Sequence, residues 1–304
     1  TDSGNEFWKT FSPRVSASYK LDDAQKWSLN ASLGRYYKLP PYTILGFTDT
    51  LGVFANKSAE YIRSDHAVLG LEYLLTKSSR ISVEGFYKKY GNYPVSLVDS
   101  VSLANLGGGF EVLGNEPIAS VGLGQTYGVE LLYQQKFTGK LYGILAITLY
   151  KSQYTGFDED EFLPSVWDNG QLVTFTGGYK FGNNWELGLR ARYLGPTPYA
   201  PVDQQATLNN YPAVIKNYEQ LGAVSLDPFF QADVRIDKKF NFKKWTLDVF
   251  LDVQNVLASN LPSEPSYGLD RNEDGDIVDP RTLVRIEEVD NSSVLPTLGI
   301  VVDF

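Results

Sequence analysis

Cysteine is absent from this 304-residue chain, so neither disulfide staples nor thiolate chemistry is available to it. Histidine occurs once, as His66. A lone imidazole inside an alternating segment reads as a packed or channel-facing polar group rather than a metal ligand, and nothing near it resembles a nucleophile elbow. No run of apolar residues approaches eighteen, which excludes a transmembrane helix. Mean hydropathy is correspondingly low, −0.22. A basic stripe is also missing: the net charge is −9 and the pI about 4.8, which excludes nucleic acid as a partner. Methionine is absent even at position 1, and no signal peptide precedes the first alternating segment. The chain is therefore expected to be a mature or truncated form of an exported protein.

What is present is a rhythm. Eleven stretches alternate apolar and polar residues, at roughly 10–20, 26–37, 61–75, 80–90, 125–137, 140–151, 171–181, 184–195, 229–240, 244–255 and 294–304. The connectors between them alternate strictly in length. Short ones fall at Leu21–Gln25, Thr76–Ser79, Thr138–Gly139, Gly182–Asn183 and Asn241–Lys243, and long ones at about 38–60, 91–124, 152–170, 196–228 and 256–293. A soluble sandwich has no reason to gather every long loop at one end. A transmembrane β-barrel does, because one rim faces a cramped compartment and the other faces ligand. The expected fold is all-β: a transmembrane antiparallel barrel in the outer membrane.

The faces argue in the same direction. Trp185, Leu187, Leu189, Ala191 and Tyr193 share one face of their segment, and Glu186, Gly188, Arg190 and Arg192 share the other. Phe230, Ala232, Val234 and Ile236 alternate with Gln231, Asp233, Arg235 and Asp237, and Trp245, Leu247, Val249, Leu251 and Val253 with Thr246, Asp248, Asp252 and Gln254. A half-buried soluble sheet produces the same alternation. The segments are nonetheless long for a soluble strand, and their length suits a tilted crossing of hydrocarbon. Aromatic residues also gather at their ends (Tyr36, Tyr37, Tyr87, Tyr90, Tyr150, Tyr154, Tyr179, Phe181, Trp185, Tyr193, Phe240, Trp245 and Phe304), as interfacial girdles do. Arg190, Arg192, Asp233, Arg235 and Asp237 bring full charges to the polar faces, as a wet lumen would, and form a candidate lumenal wall. Glu84, Glu130, Asp248 and Asp252 belong to the same set of polar positions.

Single-chain bacterial barrels have an even number of strands, and eleven is odd. With the last strand running inward to Phe304, the first must also run inward. The chain then begins on the outer rim, and an upstream portion is expected. Eleven is half of twenty-two, the strand count of plugged outer-membrane transporters.

Several motifs carry a family resemblance: Ser12-Pro13-Arg14-Val15-Ser16-Ala17-Ser18-Tyr19, Gly34-Arg35-Tyr36-Tyr37 followed by Pro40-Pro41, and Gly85-Phe86-Tyr87-Lys88-Lys89-Tyr90 followed by Gly124-Gln125-Thr126-Tyr127-Gly128-Val129-Glu130. Further along stand Arg192-Tyr193-Leu194-Gly195-Pro196-Thr197-Pro198-Tyr199-Ala200-Pro201, Asp233 to Phe240, Asp252-Val253-Gln254-Asn255-Val256 and the terminal Phe304. In order and spacing they resemble the C-terminal half of the barrel of a TonB-dependent outer-membrane receptor, in a style similar to Bacteroidetes receptors. The resemblance implies ligand-gated active import of a scarce nutrient, whether siderophore, cobalamin, glycan or peptide. It implies as partners outer-membrane lipid, an upstream barrel half with its plug, the TonB complex acting through that part, and a surface lipoprotein. Neither a plug nor a TonB box is found in these residues. The alternatives are a passive porin-like channel and an outer-membrane barrel adhesin or barrel-anchored enzyme. An enzyme would need a catalytic constellation, and the sequence offers none.

The long connectors carry Tyr42, Phe47, Phe54, Tyr93, Phe110, Phe157, Trp167, Tyr199, Tyr211, Tyr218 and Tyr267. Aromatic rings stack on sugars or flat chelates, and tyrosine adds a hydrogen-bonding tip. Trp167, Tyr199, Tyr211 and Tyr267 are the candidate ligand contacts, against the plainer expectation that such rings pack the loops over the mouth. The last long connector contains Asp270, Asn272, Asp274, Gly275, Asp276 and Asp279. Oxygens at positions 1, 3 and 5 with glycine at 6 match a calcium loop, but position 12 is Arg281 rather than an acid. Asp279, Glu287 or Glu288 would have to supply the missing ligand. No cofactor is required, and a structural calcium ion is the one candidate.

Overall fold

Period-two alternation commits each segment to an extended ladder, and the ladders join into one antiparallel meander. The computed structural model describes residues 10–106, 113–286 and 292–304. Its main sheet runs through β1 (Arg14–Lys20), β2 (Trp27–Lys38), β3 (Ile62–Leu74), β4 (Ser79–Ser96), β5 (Ile118–Thr138) and β6 (Leu141–Thr155). It continues through β7 (Gln171–Lys180), β8 (Trp185–Leu194), β9 (Phe229–Asn241), β10 (Thr246–Gln254) and β11 (Leu295–Asp303). Every strand pairs with its sequence neighbours, and a three-residue strand, Phe162–Pro164, adds to the outer end of β6. The eleven expected strands are all present. The sheet does not close on itself: β1 and β11 each have one neighbour among the described residues.

The short connectors are tight because particular residues accept left-handed backbone. Gly139, with φ 74°, turns β5 into β6. Asn183 and Asn184, both at φ 60°, turn β7 into β8, and asparagine is the side chain that tolerates this region best.

One expected connector differs. The stretch 91–124 is shorter as a loop than the alternation suggests, because β4 extends to Ser96 and β5 begins at Ile118. Register shifts between Tyr90 and Tyr93 and between Tyr93 and Val95 break the alternation there. A bulge advances one strand by an extra residue and hides the strand from a period-two reading.

Among the described residues the sheet has no second layer, and its apolar side chains stand exposed: Leu189, Ile236, Leu251, Leu298 and Ile300 all face outward, Leu298 at 77%. A contiguous exposed apolar face of this extent suits hydrocarbon rather than water. Among the described residues the one buried apolar cluster lies instead in the long connectors. Ile44, Ala59, Val101, Leu103, Leu106 and Ile118 pack together, with Leu45, Leu113, Leu163 and Tyr218 against them.

Candidate functional site: the polar wall and the outer mouth

Cross-strand register decides which side chains share a face. Arg190 lies opposite Asp233 and Arg192 opposite Gln231, while Arg235 lies opposite both Gly188 and Asp252. The five expected wall residues therefore stand on one polar face. Asp233 is held from three directions. Arg190 Nη2 donates to its Oδ2 at 2.6 Å, while Gln231 Nε2 and the Asn255 backbone N–H donate to its Oδ1 at 3.0 and 2.8 Å. Arg192 donates to Gln231 Oε1 at 2.6 Å. Arg235 pairs with Asp237 at 2.7 Å and lies 3.7 Å from the Phe250 ring centroid. Asp233 and Asp237 are each 8% exposed, so carboxylates this sheltered need these charge-assisted donors.

Phe250 was not among the polar positions that the sequence singled out. It shares their face because it sits between Asp248 and Asp252, and Gly299 on β11 leaves room for its ring, which a Cβ there would strike. Elsewhere the face is emptier. Ser16, Ser18, Asn30, Ser32, Gly70 and Glu84 line a depression of about 360 Å³ across β1 to β4. His66 stays on this face, with its Nε2 2.6 Å from Ser64 Oγ and its ring 4.6 Å from that of Tyr36.

The aromatic residues divide between the two faces. Tyr87 and Tyr127 lie opposite each other on the outward face, with ring centroids 6.4 Å apart. Tyr36, Tyr90, Tyr150 and Tyr154, expected in the girdles, instead share the polar face with His66, Glu84 and Glu130. Tyr93 joins Tyr154 at 4.6 Å and Tyr90 lies 5.4 Å from it, so three rings cluster at the outer end of the polar face. Parity counted from Glu84 places Tyr90 on that face from sequence alone; the bulge conceals Tyr93.

Above the sheet the long connectors are tied to one another. Asn56 Nδ2 donates to the carbonyls of Ile44 and Glu116 at 2.9 and 2.8 Å, and its Oδ1 accepts from Ile118 N–H at 2.9 Å. Asn105 Nδ2 reaches the carbonyls of Leu163 and Pro164 at 3.1 and 2.7 Å. Asn169 Nδ2 donates to Gly195 O at 3.2 Å and to Thr197 Oγ1 at 2.5 Å. Lys216 pairs with Glu264 at 2.6 Å and links the last two connectors. Apart from the Asn56–Ile44 bond, these links cross from one connector to another, so the mouth is an ordered cap.

Of the four aromatic candidates, the structure brings two together. Tyr199 has Tyr267 as an electrostatic neighbour. Burial raises the Tyr199 hydroxyl above its ordinary pKa, Tyr267 and Glu264 add to this, and Arg285 opposes it. Trp167 and Tyr211 are exposed on the cap, at 48% and 41%. Tyr150 Oη donates to the Trp167 carbonyl at 2.6 Å and fixes that backbone. Phe110 lies outside the described residues.

The segment containing Asp270, Asn272, Asp274, Asp276 and Asp279 forms a tight turn between the paired strands Ser266–Leu269 and Leu283–Ile286. Asn272 Oδ1 accepts from the backbone N–H groups of Asp274 and Asp276 at 3.1 and 2.8 Å, and Gly275 takes a φ of 86°. Asparagine therefore organises this turn through its own backbone, as an Asx turn does. Among the described residues no three Asp, Glu or His side chains are grouped to hold a metal. Glu287 and Glu288 lie outside the described residues.

With this geometry in place, comparison identifies the class. The sequence matches the family described as TonB dependent receptor-like, beta-barrel, over residues 1–256. The chain belongs to the TonB-dependent receptor β-barrel family, a family of receptors. No curated protein matches the sequence. Among solved structures it is similar to the ferripyoverdine receptor of the Pseudomonas aeruginosa outer membrane, at 15% identity and a TM-score of 0.56, over 84% of this chain and 29% of that one. It is similar to the ferric-catecholate import receptor Fiu of Escherichia coli K12, at 14% identity and a TM-score of 0.55, over 89% of this chain and 33% of that one. The Escherichia coli outer membrane transporter YddB aligns at 12% identity and a TM-score of 0.56, over 96% of this chain and 40% of that one. At these identities the likeness is one of fold, and the chain spans about a third of the length of the structures it matches.

Proposed function

We propose that this chain is the outer-membrane barrel portion of a receptor that actively imports a scarce nutrient, with a ferric chelate as the favoured cargo. The observation that carries this reading is the cap. Five long connectors are cross-linked over one end of a single polar face, leaving Tyr199 and Tyr267 beside charged groups where a flat ligand can be stacked and hydrogen-bonded. The iron and siderophore names of the similar structures support the choice of cargo. The free backbone edges of β1 and β11 support a complementary barrel half, because lipid offers no partners for unpaired N–H and C=O groups. In this reading the polar wall pairs with a plug that the same upstream part supplies. The TonB complex opens that plug, and a surface lipoprotein assists capture. A calcium ion at Asp270, Asn272, Asp274, Asp276 and Asp279 would stiffen the last connector.

The test is uptake of a radiolabelled ferric chelate by cells expressing the whole receptor. The expected result is saturable uptake that collapses on loss of the proton gradient and falls at least about tenfold in a Tyr199→Ala/Tyr267→Ala double variant. Gradient-independent, unsaturable permeation with a steady single-channel conductance would replace the importer with a porin-like channel.

A further inference from the structure

We infer that the inner rim of the sheet, formed by the short turns, is a docking surface for the carboxylate-bearing stem peptides of the periplasmic cell-wall glycan. This rests on the membrane-barrel reading, which puts the short turns on the periplasmic side. Four of the five short turns carry ammonium groups. Lys26 lies between β1 and β2, Lys77 between β3 and β4, and Lys243 and Lys244 between β9 and β10, while Lys136 and Lys140 flank the β5–β6 turn. All six are exposed, and none forms an ion pair among the described residues. The acids of these turns are Asp22 and Asp23, both in the first turn, and Asp22 already accepts from the Trp27 backbone N–H at 2.8 Å.

This charge runs against the composition. The chain carries −9 overall, and the described parts of the five long connectors hold eighteen carboxylates against five cations. The two rims are therefore opposite in sign, an acidic cap above and a basic edge below. Nor do the turn lysines serve the polar wall. That wall pairs its own inner charges, Arg80 with Glu72 at 2.8 Å, Lys180 with Glu186 at 3.6 Å and Lys239 with Asp248 at 3.5 Å, and the six turn lysines stand outside those pairs.

Position and chemistry narrow the partner. The inner ends of the strands present aromatic and aliphatic side chains outward, Trp27, Tyr73, Tyr133, Leu141 and Tyr179 among them. Among the described residues Lys238 is the one outward cation there, and it is engaged. It lies 5.1 Å from the Trp185 ring and 5.5 Å from the Phe240 ring, and it donates to the Asn183 carbonyl. The free ammonium groups lie beyond this aromatic band, on the aqueous side of it. All six are lysine, and no arginine occurs in these turns. A guanidinium is the better fork for phosphate, whereas a flexible ammonium is a point charge that suits single carboxylates. Consecutive turns lie two strands apart, about 10 Å along the rim, so the row extends over about 40 Å from the first turn to the last. That spread fits a polymer that repeats its carboxylates rather than one compact ligand. A single exposed pair contributes little, but several pairs to one polymer combine through multivalency.

The experiment sediments the whole receptor, in neutral detergent at low salt, with purified insoluble peptidoglycan. Two further probes are peptidoglycan whose carboxyls have been converted to amides, and anionic phospholipid micelles in the same detergent. The expected result is co-sedimentation with the untreated polymer. It should fall at least about fivefold on the amidated polymer and in a Lys77→Ser/Lys140→Ser/Lys243→Ser/Lys244→Ser variant. Added salt should release the receptor as well, because exposed charges are screened. Lys238→Ser should leave retention unchanged. No sedimentation of the native receptor, equal retention by the amidated polymer, or an undiminished signal in the quadruple variant overturns the proposal, as does an equal fall in Lys238→Ser. Release by the anionic phospholipid would show a headgroup site and overturns it too. Heat-dependent gel mobility of each variant, reporting barrel folding in lipid, is read separately, so failure of the membrane reading is distinguishable from failure of the rim.

Discussion

Asn56 shows how much a single side chain can hold. It is 2% exposed, and its amide satisfies two carbonyls and one N–H on two stretches of backbone, at Ile44 and at Glu116–Ile118. Asn56→Ala leaves those buried groups unpartnered at a cost of about 1–3 kcal/mol. The expected outcome is faster proteolysis in the connectors around 39–61 and 97–117, with the strands unaffected. Two carboxyls of the cap titrate in the opposite sense to a salt-bridged acid. Burial raises Asp168 and Asp99 above the ordinary carboxylate range, against the pull of the Ser152 N–H and Lys151 on the first and of Lys216 on the second. A raised carboxyl pKa means that the folded cap holds its proton more tightly than the unfolded one. Stability is then complete below the unfolded pKa and falls as pH rises through the folded values. Protection against hydrogen exchange in these two connectors, taken relative to the intrinsic rate at each pH, should therefore be greater near pH 4 than near pH 7, and Asp168→Asn should flatten that dependence.

At the scale of a strand, parity governs energetics. Leu189 and Arg190 are adjacent in β8 but face different solvents. Leu189→Arg puts a charge into hydrocarbon and should cost roughly 2–4 kcal/mol near the bilayer centre. Ser32→Arg, beside the depression on the polar face, should cost under about 1 kcal/mol. Chemical denaturation of the receptor in lipid measures both, and equal costs would overturn the assignment of faces. The pairing of Arg190 with Asp233 belongs to the same scale. Arg190 is largely exposed while Asp233 is sheltered, so Arg190→Ala should cost about 1–2 kcal/mol by leaving the carboxylate with Gln231 and Asn255 alone. This scale is also where sequence reading worked best. Alternation placed all eleven strands and put Arg190, Arg192, Asp233, Arg235 and Asp237 on one face, because side-chain direction in a strand is a local, two-residue property. It misjudged the outer ends of β4 and β5, where the bulge around Tyr93 breaks that local rule.

On the whole-molecule scale the sheet is an open meander whose two edges have no further strand among the described residues. In the intact receptor the backbone N–H groups on the unpaired edges of β1 and β11 should exchange as slowly as those of β3 or β9. Fast exchange there would mean that no complementary strands close the barrel. Strand count, the alternation of short and long connectors and the two faces followed from the sequence alone, since each depends on neighbours only a few positions apart. The cap did not. Asn56 meets Glu116 and Ile118 across about sixty positions, Asn105 meets Leu163 and Pro164 across nearly as many, and Lys216 meets Glu264 across the last two connectors. Such contacts have no period to read. They decided that Tyr199 has Tyr267 as an electrostatic neighbour, while strand pairing brought Arg35, Arg63, Lys89 and Lys151, scattered over four strands, onto one outward face. Only the register of strands against strands puts them side by side.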